Sequence, residues 1–249
     1  MSRKADHYSY TVYADPAMAR SFDERRFGGP IGELIAGTQA RVVANMVGRV
    51  HDRSILDVGT GTGRAALMLA REGGRVTAVD ASEEMLRVAR QRAADELVPV
   101  TFLRADAHHL QFEDRSFEVV VCLRVLMHAP DWVRCLGELC RVAGRTVIFD
   151  YPSAASLAAV ESAWRRVQHA AGRRTEPYRV FRTARVQQEL GRAGFRVRAV
   201  HRQFVLPIQL HRRIGSRRFT ERSENWLDRA GLLRLAGSPV TVCAERCEY

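Results

Sequence analysis

The stretch from Ser54 to Gly63, S-I-L-D-V-G-T-G-T-G, constrains this chain more than any other. Ile55-Leu56-Asp57-Val58 is apolar enough for a strand buried in a parallel sheet. Gly59, Gly61 and Gly63 follow with threonines between them, and Arg64 to Arg71 is then made of good helix formers. Strand, glycine turn and helix form the opening of a doubly wound α/β unit. The glycines let the backbone take conformations closed to other residues and come close to a ligand. The amides at the helix start favour a polar or anionic ligand group.

A dinucleotide fingerprint has the spacing G-x-G-x-x-G. Gly59 and Gly61 fit it, but Arg64 stands where the third glycine belongs. The spacing is G-x-G-x-G instead, with Asp57 two residues before the first glycine. Arg75-Val76-Thr77-Ala78-Val79-Asp80 reads as a second strand ending in a carboxylate. An acid about 20 residues past the glycines is placed to accept hydrogen bonds from ribose hydroxyls. Dehydrogenases and methyltransferases both need that contact, so Asp80 alone does not choose between them. The glycine spacing after Asp57 resembles motif I of the class I S-adenosylmethionine (SAM) dependent methyltransferases, and V-D-A-S-E-E-M-L at 79–86 resembles the segment that follows. The run S-F-E-V-V-V-C-L-R-V-L-M-H-A-P-D-W at 116–132 resembles the UbiE-like branch (methyltransferase type 11). The resemblance is strong over residues 53–150 and extends to the remainder only in layout.

The resemblance implies a Rossmann-like, doubly wound, seven-stranded and mostly parallel sheet with its last strand antiparallel. It implies SAM as cofactor and S-adenosylhomocysteine as product. Asp57, Gly59, Thr60, Gly61 and Gly63 would form the cofactor loop. Asp80, followed by Ala81, would bind both ribose hydroxyls, and Met85 would pack on the adenine or serve as plain core. Asp106 would accept from the adenine amino group while the Ala107 amide meets a ring nitrogen. The Leu123 carbonyl would accept from the SAM ammonium group. His128 lies just beyond, as a general base near neutrality or as a structural residue. Tyr13, Arg26 and Arg41 are candidates for the methionine carboxylate, since arginine matches carboxylate geometry.

A single domain over 1–249 is expected, in four parts. Residues 1–50 form an N-terminal cap, with a helix starting at Asp15-Pro16, a charged segment Phe22–Pro30 ending in a break, and a helix from about Gly32 to Val47. Residues 53–150 are the cofactor core. There Ser82 caps a helix, strands lie at Val100–Arg104, Ser116–Leu123 and Arg145–Asp150, and a helix from Asp131 to Val142 is ended by Gly144. Residues 151–181 are a substrate-lid insertion, with Val160, Trp164 and Val167 at helical spacing. Trp164, Tyr178 and Phe181 line an apolar pocket or belong to the core. A helix capped by Thr183 leads to the sixth strand at Gly194-Phe195. Residues 203–236 are a helical insertion before the last strand. Apolar residues beside arginine in 203–222 read as a helical pair over the cleft or as a surface resting on lipid.

Composition narrows the function classes. With 46% hydrophobic and 27% charged residues the chain reads as soluble and globular. No run spans a bilayer, the N-terminus lacks the apolar core of a signal peptide, and the expected compartment is cytoplasmic. The formal charge of +11 invites nucleic acid as partner, yet nearly all of it is arginine spread along the chain, and no RNA-binding signature of basic and aromatic residues stands out. Lys4 is the only lysine, which argues against Schiff-base chemistry. The five cysteines form no C-x-x-C, no metal is expected, and Cys122, Cys135 and Cys140 read as buried thiols rather than ligands for a soft substrate such as arsenite. The expected partner is a small, partly apolar molecule (a quinone, lipid or natural product) methylated at oxygen or carbon. A non-catalytic SAM-binding scaffold and an NAD-dependent oxidoreductase are the alternatives. Oligomeric state is not encoded in any motif.

Overall fold

The computed structural model describes residues 15–171 and 178–247; Tyr13 lies outside them. The order of elements is α1 (Pro16–Phe27), α2 (Gly29–Val47), β1 (Ser54–Val58), α3 (Arg64–Arg71), β2 (Arg75–Asp80), α4 (Glu83–Asp95), β3 (Val100–Arg104) and β4 (Phe117–Cys122). A 3-10 turn (Leu126–His128) leads to α5 (Trp132–Val142), β5 (Ala143–Tyr151), α6 (Ala158–Ala170), α7 (Thr183–Arg192) and β6 (Phe195–Phe204). Then come α8 (Ile208–Ile214), α9 (Arg217–Arg229), α10 (Leu232–Ala236) and β7 (Ser238–Arg246).

The seven strands lie in the order β3-β2-β1-β4-β5-β7-β6. β1 pairs in parallel with β2 and β4, and β7 runs antiparallel between β5 and β6. This is the expected doubly wound sheet with an antiparallel last strand. The strand order reverses at β1, so the crevice beyond its C-terminal end, between the loops after β1 and β4, is where such sheets take ligands.

Side-chain alternation builds the two layers. Leu56, Val58, Val120 and Cys122 point to one face, where α5 and α7 contribute Leu136, Leu139 and Leu190. Ile55, Val119, Val121 and Ile148 point to the other, against Val43 and Val47 of α2 and Ala66 and Leu69 of α3. Each fully buried aliphatic side chain contributes about 1.5–3 kcal/mol, and both faces of the central strands are covered, as a parallel sheet requires.

Several boundaries differ from expectation. α1 continues to Phe27, so the break is confined to Gly28, and α2 opens with Gly29-Pro30. α5 ends at Val142, and Ala143-Gly144 already belong to β5, paired at Phe117↔Ala143; Gly144 is therefore a strand residue rather than a helix stop. Arg182, not Thr183, occupies the N-cap of α7, and the Thr183 hydroxyl meets the Tyr151 hydroxyl. The exposed Val160, Trp164 and Val167 on α6 do not join the core, whereas Phe181 does. The insertion between β6 and β7 is three helices. It is pinned by a buried cluster in which Glu224 accepts from the Val205 and Leu206 amides and from His211 Nε2, and His211 Nδ1 meets Thr220. Leu210, Ile214 and Phe219 remain exposed on it. No helix of the described residues is long and apolar enough to cross a membrane.

Candidate active site

The β1 loop builds the floor of a cleft of about 190 Å³. Gly59, Gly61 and Gly63 all have positive φ, at 70°, 55° and 84°, the region where a side chain is strained. Gly59 is also sterically required, because a Cβ there would stand 2.2 Å from Val125 Cγ2. The Gly59 and Thr60 amides donate to the Val79 carbonyl at 2.8 and 3.0 Å, which locks the loop to the end of β2.

Three carboxylates from three successive strand ends line this cleft: Asp57, Asp80 and Asp106. Asp57 is buried and accepts from the Thr60 hydroxyl at 2.7 Å. Burial raises its pKa from 3.8 to about 6, opposed by Thr60 and the Ala66 amide and reinforced slightly by the charge of Asp80. Asp80 accepts from the Gly61 amide at 2.8 Å through one oxygen and from the Ser82 amide at 2.9 Å through the other. Burial raises its pKa too, and those amides counteract the rise. The Ala81 amide lowers its pKa as well; with about four acceptor sites on a carboxylate, three amides still leave Asp80 able to receive a hydroxyl. Asp106 accepts from the His108 amide at 2.9 Å and stands 2.7 Å from His108 Nδ1. It is tied to its own turn as well as lining the cleft.

Of the residues expected from sequence, Asp57, Gly59, Thr60, Gly61, Asp80, Ala81, Met85, Asp106, Ala107, Leu123, His128 and Arg26 all line the one cleft. Gly63 lies under it as the left-handed N-cap of α3. Met85 is both buried core and cleft wall. Arg41 departs from expectation: it is exposed and its guanidinium bonds Gly37 and Thr38 of its own helix.

The N-terminal cap closes the cleft through contacts no motif announces. The Thr62 hydroxyl donates to Asp23 at 2.9 Å, and Arg92 forms an ion pair with the same carboxylate. Arg64 lies 3.9 Å over the Phe27 ring, so the residue that breaks the dinucleotide fingerprint anchors α1 over the loop by a cation–π contact.

A second cavity, of about 150 Å³, adjoins the first; Arg26, Phe27, Arg124 and His128 line both. Its wall includes Asp150, at the end of β5, and Tyr178. Arg124 has φ 62°, rare for a residue with a side chain, and its amide donates to Asp150. Gln39 of α2 donates to the other Asp150 oxygen at 3.4 Å. Burial raises the Asp150 pKa, and Arg124 opposes the rise. Asp150 thus fixes the strained turn that carries Leu123 and Arg124 past the end of β4, a use of strain found at functional sites. A carboxylate ending a strand was visible in sequence; its link to Gln39 and Arg124 was not. Among the described residues no cluster of three or more metal-ligating side chains stands together, and Cys122, Cys135 and Cys140 are core residues.

Residues 55–145 match the model of a methyltransferase domain. The chain is 39% identical over 105 residues to the demethylmenaquinone methyltransferase of Thermus thermophilus, covering 40% of this chain and 48% of that one. It is 32% identical over 151 residues to a ubiquinone biosynthesis O-methyltransferase of Alkalilimnicola ehrlichii, covering 59% and 61%. The chain thus spans about half the length of the curated relatives it matches. The magnesium protoporphyrin IX methyltransferase of Synechocystis PCC 6803, solved with bound S-adenosylhomocysteine, shares the fold over 95% of this chain and 99% of that one, with a TM-score of 0.65 and 21% identity.

Proposed function

We propose that this chain, which carries a class I SAM-dependent methyltransferase domain of the UbiE-like type, transfers the SAM methyl group to an oxygen or carbon of a small, partly apolar molecule. The observation that carries the reading is the pair of joined cavities. One is floored by the glycine loop and edged by Asp57, Asp80 and Asp106; the other sets apolar wall from Ile35, Met127 and Phe204 beside Arg165 and Arg212; they meet at Arg124 and His128. A scaffold that only held a nucleoside would need the first cavity alone.

The first cavity suits SAM. Its loop has no room for a Cβ at Gly59, and Asp80 keeps acceptor capacity for the ribose. Asp106 and the Ala107 amide serve the adenine edge, Met85 its face, and the Leu123 carbonyl the ammonium group. Arg26, on the cap, is the described candidate for the carboxylate, and Tyr13 is proposed beside it. When bound, SAM supplies an electrophilic methyl on a sulfonium. The chain's own contribution is to align an acceptor against that methyl and exclude water. α1 does the second by covering the loop. His128, lining both cavities, is placed to take a proton from an acceptor hydroxyl.

Calorimetric titration of the purified chain with SAM, S-adenosylhomocysteine and NADH tests the reading. Micromolar-range binding of the first two is expected. Asp80→Ala weakens both at least about tenfold by removing hydrogen bonds to a charged acceptor. Binding of NADH without response to SAM would return the oxidoreductase reading; SAM binding without methyl transfer to any member of a phenol and quinol panel would favour the scaffold.

A further inference from the structure

The second cavity has two unlike ends. Arg124 and His128 belong to it and to the cofactor cleft. Glu161, Arg165 and Arg212 belong to it and to an outer groove of about 760 Å³. Ile35, Met127, Tyr151 and Phe204 provide apolar wall in the same cavity. Arg26 lines all three spaces, so the cavity is a passage with His128 on its cofactor side and Arg165 and Arg212 on its outer side.

Arg212 is the unusual group at that outer end. Its terminal nitrogens donate to the backbone carbonyls of Arg25, at 3.1 Å, and Arg26. Among the described residues its buried Nε has no hydrogen-bond partner, and no carboxylate lies within ion-pair distance of it. Burial and the positive charge of Arg26 both lower its basicity. The carboxylate in the same wall, Glu161, is held by Arg165 at 2.8 Å. A half-buried guanidinium that faces another cation and has only neutral carbonyls as partners is costly. An anionic ligand group offsets that cost.

We propose that the acceptor carries a carboxylate, bound by Arg212 on the side of the cavity that opens to the outer groove. Each terminal nitrogen of Arg212 carries a second N–H beyond the one given to a carbonyl, and a carboxylate is met by those donors with charge assistance, the buried Nε staying covered. A dianionic phosphate would meet stronger repulsion from Glu161 in the same wall. The proposal rests on the methyl-transfer reading only in taking this cavity as the acceptor site.

The test is titration of the full chain, with and without saturating S-adenosylhomocysteine, using three acids and their primary amides: 3-(4-hydroxyphenyl)propanoate, 2-naphthoate and decanoate. At least one acid should bind about tenfold or more tightly than its amide. Arg212→Gln should abolish that preference, and Arg212→Lys should retain part of it. Equal affinity of every acid and amide pair, or no measurable binding of any acid, overturns the proposal, and neither result depends on a variant folding. S-adenosylhomocysteine binding in the same titrations is read separately. Its absence would count against the methyl-transfer reading while the acid-to-amide ratio still decides the role of Arg212.

Discussion

Asp57 offers a quantitative test of how the cofactor loop is built. Burial lifts its pKa from 3.8 to about 6 in the folded protein. The folded state therefore holds the Asp57 proton more tightly than the unfolded chain does. That contribution to stability is fully present below pH 4 and is lost as pH rises through 6. The interval is roughly two pH units at about 1.4 kcal/mol each, or ~3 kcal/mol in all. About 1.4 kcal/mol of it is lost between pH 5 and pH 8. Asp57→Asn keeps the shape and cannot ionise, so it should lack this loss. Asp80 and Asp150 are also raised by burial and tilt both proteins in the same direction. Removing the neighbouring charge of Asp57 only flattens the variant further. Urea unfolding of both proteins, without cofactor, at pH 5 and pH 8 gives the comparison. The stability of Asp57→Asn relative to wild type should rise by about 1.4 kcal/mol from pH 5 to pH 8. A difference that stays constant, or one that falls, would refute the claim that the loop is built around a buried, costly charge.

Two further outcomes follow from single contacts. Gly59→Ala places a methyl 2.2 Å from Val125 Cγ2 at a φ of 70°; it should cost about 1–3 kcal/mol by urea unfolding and remove S-adenosylhomocysteine binding by calorimetry, whereas unaltered binding would show the loop to be slack. Glu224→Ala strips the acceptor from the Val205 and Leu206 amides and from His211. It should cost about 3 kcal/mol, seen as a lowered Tm, and should weaken acceptor binding more than cofactor binding.

The cofactor half of the site was legible because it is local in sequence. One strand, one glycine loop and one helix, followed by acids at the ends of the next strands, place Asp57, Asp80 and Asp106 by the geometry of a doubly wound sheet alone. Even Arg64, which spoiled the dinucleotide spacing, finds its reason only in space, on the Phe27 ring. The acceptor half was illegible for the opposite reason. Arg165 and Arg212 come from α6 and α8, and in a chain with 39 Lys and Arg residues neither stands out before folding; Arg26 was legible only as a cofactor candidate, not as a wall of the second cavity. The misplaced boundary at Gly144 has a similar origin: it has the composition of a helix stop, but sheet pairing with β4 claims it; of the two readings open for Trp164, the structure sets it in the wall of the outer groove and not in the core. The division has a consequence. The loop and strand ends are fixed by the sheet, so a change of substrate does not require a change there. The helices between β6 and β7 meet the rest of the chain at points such as Arg212 on the carbonyls of α1, whereas α2 of the cap supplies Val43 and Val47 to the core beneath the sheet, so it is the insertion that can be rebuilt with least disturbance to the floor. Exchanging residues 203–236 for a relative's should therefore shift acceptor preference across a substrate panel while S-adenosylhomocysteine affinity in calorimetry stays in place; a loss of that affinity would refute the division.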